Sequence, residues 1–178
     1  ALSASSSRWS GASASAMVPG LARALALVGT RETVRPASNP VSMEWAAAIG
    51  GWVRSFFVND SIPWCALFAD HCLRWAGVRA PGTLAARDFL KWGVPLSQPA
   101  LGCVAVFARP GGAHVFFYLG ETADAIFGVG GNQSDQVSRT WISRGRLLGY
   151  RWPSDWRLPV GGPVLLSRSG APLSKDEA

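Results

Sequence analysis

The sequence predicts an α+β domain in which N-terminal helices pack on one face of an antiparallel β-sheet. Three observations carry that expectation. Apolar residues recur at helical spacing up to about residue 92, strand-like runs separated by turn residues follow Pro99, and no internal repeat is visible. The 178 residues, 48% hydrophobic and 16% charged, suit one globular domain whose core is large enough to fold without a metal or a disulfide.

Residues 1 to 16 are dominated by Ala and Ser, too little apolar surface to order themselves, so residues 1–18 are expected to be disordered. The chain opens on Ala1 rather than Met, which fits a processed form or a piece of a longer product. Leu21, Leu25 and Val28 then mark a first helix between Pro19 and Gly29, and Arg35 to Pro40 reads as a loop. A second helix runs from about Val41 to Ile49, where Gly50-Gly51 breaks it. A third begins at Cys65 and ends at Gly77. On a helical wheel Phe68, Ala69, Cys72, Trp75 and Ala76 share its buried face, while Asp70 and Arg74 point away. Residues 84 to 92 suggest a shorter amphipathic helix. Cys103–Ala108 and Ala113–Leu119 form a hairpin across a glycine-rich turn, Ala125–Val129 a third strand, and Trp141 and Leu147–Trp152 further strands. From Gly161 the tail is rich in Gly, Pro and Ser and is expected to be poorly ordered.

Several functions are poorly served by this composition. No apolar run reaches the ~18 residues of a membrane-spanning helix, because Arg23, Arg54 and Arg109 interrupt the candidates. The stretch from Met17 to Gly29 has Arg23 in its middle and no basic flank, so it reads as a helix rather than a signal peptide. A formal charge of +6, with fifteen Arg among seventeen basic residues, favours polyanions: nucleic acid, an anionic membrane face or the polymers of a bacterial envelope. No basic stretch interleaved with aromatics supports nucleic acid. Nine Trp serve the core or line a groove.

Phosphate-binding glycine signatures, HExxH, CxxC pairs and GxSxG are absent from the sequence, and no cofactor or metal is expected. Cys65 and Cys72 lie seven apart on one helix, about 10 Å, beyond disulfide reach. Cys65 stands at the first helical turn, where unpaired N–H groups and the dipole lower a thiol's pKa and offer an oxyanion donor. Cys72 and Cys103 read as core. His71 is about 9 Å further along the same helix and turned about 120° away, so His114 is the only base within reach of the thiol. Glu121 falls at the far end of that strand. A turn near Thr122 pairs position 114 with about 130, which brings Asn132 beside His114 to accept from the imidazole and fix its tautomer. Asp60 or Asp135 is the next candidate for that role. Asp60 and Ser61 are near enough to Cys65 to help position the site, and Trp64 and Trp92 either line the substrate groove or belong to the core.

The runs Pro63-Trp64-Cys65-Ala-Leu-Phe, Leu73-Arg-Trp-Ala-Gly77, Ala86-Arg-Asp-Phe-Leu-Lys-Trp-Gly93, Gly112-Ala-His114-Val-Phe-Phe-Tyr-Leu-Gly120, Gly130-Gly-Asn132-Gln-Ser and Leu148-Gly-Tyr-Arg-Trp-Pro153 resemble, in order, the phage and prophage branch of the NlpC and CHAP cysteine hydrolases. The resemblance spans residues 19–153, with residues 1–18 and 154–178 outside it as tails. It implies a papain-like fold and cleavage of amide bonds in bacterial peptidoglycan. Cys65 matches the family's nucleophile, His114 its base and Asn132 its polar third residue, while Gly130-Gly131 stands where many CHAP members carry an acid. The implied setting is a phage-type lysin or virion-associated hydrolase acting in the bacterial envelope or periplasm, with peptidoglycan as partner and other particle proteins held through the tails. The alternative is a non-catalytic wall-binding or structural component of a phage-like particle.

Overall fold

Ten residues from Gly112 to Glu121 form the longest strand, and side chains alternating along it divide the interior in two. The structure, a computed structural model, describes residues 18–33 and 37–177. The disorder expected of residues 1–17 therefore lies outside the described residues, as does the start of the loop at Arg35-Pro36.

In chain order the elements are α1 (Leu21–Ala26), α2 (Pro40–Ile49), α3 (Gly51–Phe56), α4 (Cys65–Trp75), a 3₁₀ turn (Ala86–Lys91), β1 (Val94–Leu96), β2 (Val104–Arg109), β3 (Gly112–Glu121), β4 (Ala125–Gly130), β5 (Ser138–Ser143), a second 3₁₀ turn (Arg144–Arg146) and β6 (Leu147–Trp152). The fold is α+β, with six strands in the antiparallel order β1-β6-β2-β3-β4-β5. Val115, Phe117 and Val129 join the helices in one core, while Phe107, Phe116, Ile126, Tyr150 and Trp152 make a second. No helix among the described residues is long and apolar enough to cross a membrane.

Local chemistry explains the helix starts. The Asn39 side chain accepts from Val41 N–H at 2.8 Å and Pro40 opens α2, a capped start that needs no other partner. Gly50, at φ 74°, ends α2 as expected, but the chain resumes at once as α3, which the paired glycines did not suggest.

Helix α4 corrects the helical-wheel reading. Asp70 is fully buried, bonded to Arg74 and to the Gly82 N–H, whereas Trp75 is 56% exposed with Arg23 over its ring. A wheel ranks faces by hydropathy. This helix is covered by α1, α2, the sheet and the 77–83 loop, so the Asp70 carboxylate facing that loop is buried, held by the loop's Gly82 N–H and by Arg74, which reaches it from the exposed side. Strand β1 and the pairing of β6 with β2 were not legible in the pattern; the hairpin and β4 were.

The tail from Gly161, expected to be poorly ordered, packs on the sheet. Strand β3 outruns β2, whose ladder with it ends at Phe117, and the open side of Glu121 is filled by Val164 O at 2.8 Å and Leu166 N–H at 2.9 Å. Ser174 N–H then bonds Trp141 O on edge strand β5 at 2.7 Å, and the Glu177 carboxylate takes both terminal nitrogens of Arg146 at 3.0 and 2.8 Å. Unpaired strand groups reward any segment that covers them, whatever its composition.

Candidate active site

Cys65 is the first residue of α4, and the backbone of Val115 on β3 and of the helix start acts on its sulfur in the sense that favours the thiolate. It lines an open cleft of about 370 Å³, so the thiol has a route to solvent although the residue is only 2% exposed. Val115 adjoins His114. Side chains alternate along β3, so the His114 ring falls on the face of Phe107 and Phe116, 6.3 Å from the Phe116 ring, while Val115 faces the helices; Nδ1 of the ring is not hydrogen-bonded to the sulfur.

The His114 ring is fully buried, and its Nε2 lies 2.9 Å from Gln133 Oε1. The Gln133 amide nitrogen donates to Ser138 O at 2.6 Å and to Ser138 Oγ at 3.2 Å, which fixes the orientation of the amide. Its oxygen therefore faces the ring, Nε2 carries the proton, and the lone pair resides on Nδ1. That nitrogen has no hydrogen-bond partner among the described residues.

This geometry corrects the assignment of Asn132. Its side chain is buried and makes no hydrogen bond among the described residues, so Gln133 makes the orienting contact expected of it. The cause is local. The β3–β4 ladder ends at Phe117–Val129, and beyond Gly130 the chain coils with Asn132, Ser134 and Asp135 all at positive φ, so strand alternation no longer decides which side chain meets the ring. Gly130 and Gly131 make room for the turn. A Cβ at 130 would lie 2.8 Å from the Gln133 amide oxygen, and one at 131 would lie 2.7 Å from Phe68 Cβ.

The other expected site residues go elsewhere. Asp60 is buried, accepting from Thr33 N–H at 2.9 Å and Asn39 N–H at 2.8 Å, and Ser61 is exposed with its hydroxyl on Asn59. Asp135 is exposed. Trp64 is core: it donates to Glu32 at 2.8 Å and packs on Trp45. Trp92 lines a separate hollow with Asp88 and Asp155. Glu121, as expected, is not the ring's partner; it bonds the Tyr118 hydroxyl and Arg144. Cys72 and Cys103 are free and buried in the core.

Instead, the wall of the cleft is Trp52 and Phe56 of α3, 54% and 60% exposed, and its rim carries Arg87 and Arg109. The i,i+4 spacing of the two aromatics, on a helix whose buried residue is Val53, was the available signal. No sequence signal pointed to Glu177, whose charge acts on His114 from the far end of the chain.

Burial sets the resting protonation states. It pulls His114 down to about 4, with Arg109 and Arg146 adding to the fall and Gln133 and Glu177 opposing it. Burial also pushes the Cys65 thiol above its ordinary value, against the Val115 backbone, Arg109 and the backbone of the helix start. The lowered thiol pKa expected of a helix start is therefore not realised, because desolvation outweighs the dipole. In the free protein burial thus keeps both the Cys65 thiol and the His114 imidazole neutral.

No family model, curated protein or solved structure matches the chain.

Proposed function

We propose that this chain is a papain-like cysteine hydrolase of the NlpC/CHAP kind that cleaves amide bonds of bacterial peptidoglycan, as a phage-type lysin or virion-associated enzyme. The observation that carries the reading is the His114 ring. Its proton is committed to an acceptor at Nε2, its lone pair is free at Nδ1, and it adjoins the residue whose backbone acts on a cleft-lining thiol. In the proposed reaction the His114 ring must first move within reach of the sulfur; Nδ1 then takes the Cys65 proton as sulfur attacks the carbonyl, and the imidazolium formed is stabilised through Gln133 and the Glu177 charge. The Cys65 N–H, unpaired at the helix start, supplies one donor to the oxyanion. The ring then returns the proton to the leaving amine, and water activated by the same nitrogen hydrolyses the thioester.

Incubation of the protein with purified sacculi tests this reading. New free amines should appear with the wild-type chain and not with Cys65→Ala. Binding of the wild-type chain to sacculi with no amine release would establish the non-catalytic wall-binding reading instead.

A further inference from the structure

Of the residues from Ser154 to Glu177 only Glu177 is buried, at 4% exposure. A tail held by apolar side chains is held by area and without direction. A tail held by one buried carboxylate depends on that group's partner, because an unpaired charge left there is costly. The partner is Arg146, which takes the carboxylate with both terminal nitrogens and donates from Nε to Ala108 O at 2.9 Å. Ala108 pairs with Ala113, the residue before His114.

One residue earlier in the tail, Asp176 O accepts from Ser134 N–H at 3.0 Å. Ser134 follows Gln133 in the turn beyond β4, so the seated tail holds the turn that aims the Gln133 oxygen at His114 Nε2. The tail's other attachments, among them Leu166 N–H on Glu121 O at 2.9 Å and Ser174 N–H on Trp141 O at 2.7 Å, bury no side chain. Such a segment can open without breaking the core. We propose that residues 171–177 are a reversible latch on the His114 ring: seated, with Glu177 on Arg146 and Asp176 on Ser134, they hold Gln133 against the ring, and released, they leave the ring free to change tautomer and orientation. The latch regulates the site on which the hydrolase reading above rests, and Glu177 is in it a positioning residue that acts through the turn. Its charge also favours the protonated ring, while Arg109 and Arg146 oppose it.

The test reads the full chain without substrate. In the wild-type protein at neutral pH, nitrogen NMR of the His114 ring should show one tautomer, with Nε2 protonated and Nδ1 bare. The Ser134 and Ser174 amides should exchange with solvent together, and faster than the Val78 amide, which Leu73 O holds at the end of α4. In Glu177→Gln the two ring-nitrogen signals should converge as the tautomers mix, and Ser134 should exchange about tenfold or more faster with Val78 unchanged. Arg146→Gln should do the same and Arg146→Lys should keep part of the wild-type pattern. Asp176→Asn, which alters an exposed side chain and not the main-chain acceptor, should keep all of it. One fixed tautomer in Glu177→Gln, Ser134 and Val78 quickening together, or a wild-type Ser134 as slow as Val78 overturns the latch; the last comparison decides even where the variants fail to fold. Failure to release amines from sacculi, with the latch signature present, overturns only the hydrolase reading.

Discussion

Two thiols of α4 each share an arginine with a histidine: Arg109 acts on Cys65 and on His114, and Arg23 acts on Cys72 and on His71. What differs is the partner of each ring. Arg23 Nε donates to His71 Nε2 at 3.1 Å, which occupies the lone pair, and the ring stacks on Trp45 with centroids 4.8 Å apart. His114 instead meets an acceptor, so its lone pair stays free. The sulfurs differ in the same sense. Backbone groups of Val115 and the helix start favour the Cys65 thiolate and the residue lines a cleft, whereas Cys72 has only the Arg23 charge against a large burial penalty. Proximity of Cys to His does not make a site; the direction of the hydrogen bond on the ring and access to the sulfur do.

Deleting each cysteine and histidine in turn separates the two regions most strongly. Cys65→Ser and His114→Ala should lower turnover on sacculi by at least about a hundredfold, the usual share of a nucleophile's base. Cys72→Ala and His71→Gln should keep most of it, at a stability cost of about 1–2 kcal/mol for the cavity left at Cys72. Iodoacetamide should in parallel alkylate Cys65 before Cys72 or Cys103, faster as pH rises because burial holds the thiol protonated. Equal labelling of the three thiols would remove the distinction.

A smaller effect should separate Gln133 from Asn132. Gln133→Leu frees the imidazole to rotate and should cost about tenfold to a hundredfold in kcat with the thiol still alkylated, whereas Asn132→Ala, which removes no observed hydrogen bond, should change kcat little. Gln133→Glu places a carboxylate on the ring and should move the acid limb of the kcat/KM profile upward, since a neighbouring anion favours the imidazolium. A full loss in Asn132→Ala with normal folding would restore Asn132 as the third residue.

The smallest effects are those of pH. His114 and His71 both sit at about 4 in the fold, below the ordinary 6.5 that the unfolded chain shows. The unfolded state therefore binds more protons between those values. Stability is complete above about pH 6.5 and falls as pH drops towards 4. Thermal melts should show that slope, and His114→Gln and His71→Gln should each flatten part of it. The acid limb of activity should lie near pH 4 and shift only when His114 or its partners change. A limb near 6.5 in the wild-type chain would show that the ring is not desolvated as described.

Much of the site was legible because its signals are local. A cysteine opening a helix, a histidine entering a strand after Gly111-Gly112, and the exclusion of His71 by helix geometry all depend on residues within a few positions of one another. The same holds for α2, the hairpin and β4, where periodicity and turn residues act over short range. The choice between Asn132 and Gln133 was not legible, since one residue of left-handed backbone reverses which neighbour faces the ring.

By itself the sequence determined the α+β class, the candidate thiol and the candidate base, through period and position along single elements. Only the tertiary structure decided that Asp70 is buried and Trp75 exposed, that Trp64 is core while Trp52 and Phe56 wall the cleft, and that the tail closes over Glu121 and Trp141. It also decided the protonation of the pair. A helix dipole can be read along one element, but desolvation is the sum of everything packed around a group, and here that sum came from strands, loops and a tail distant in sequence.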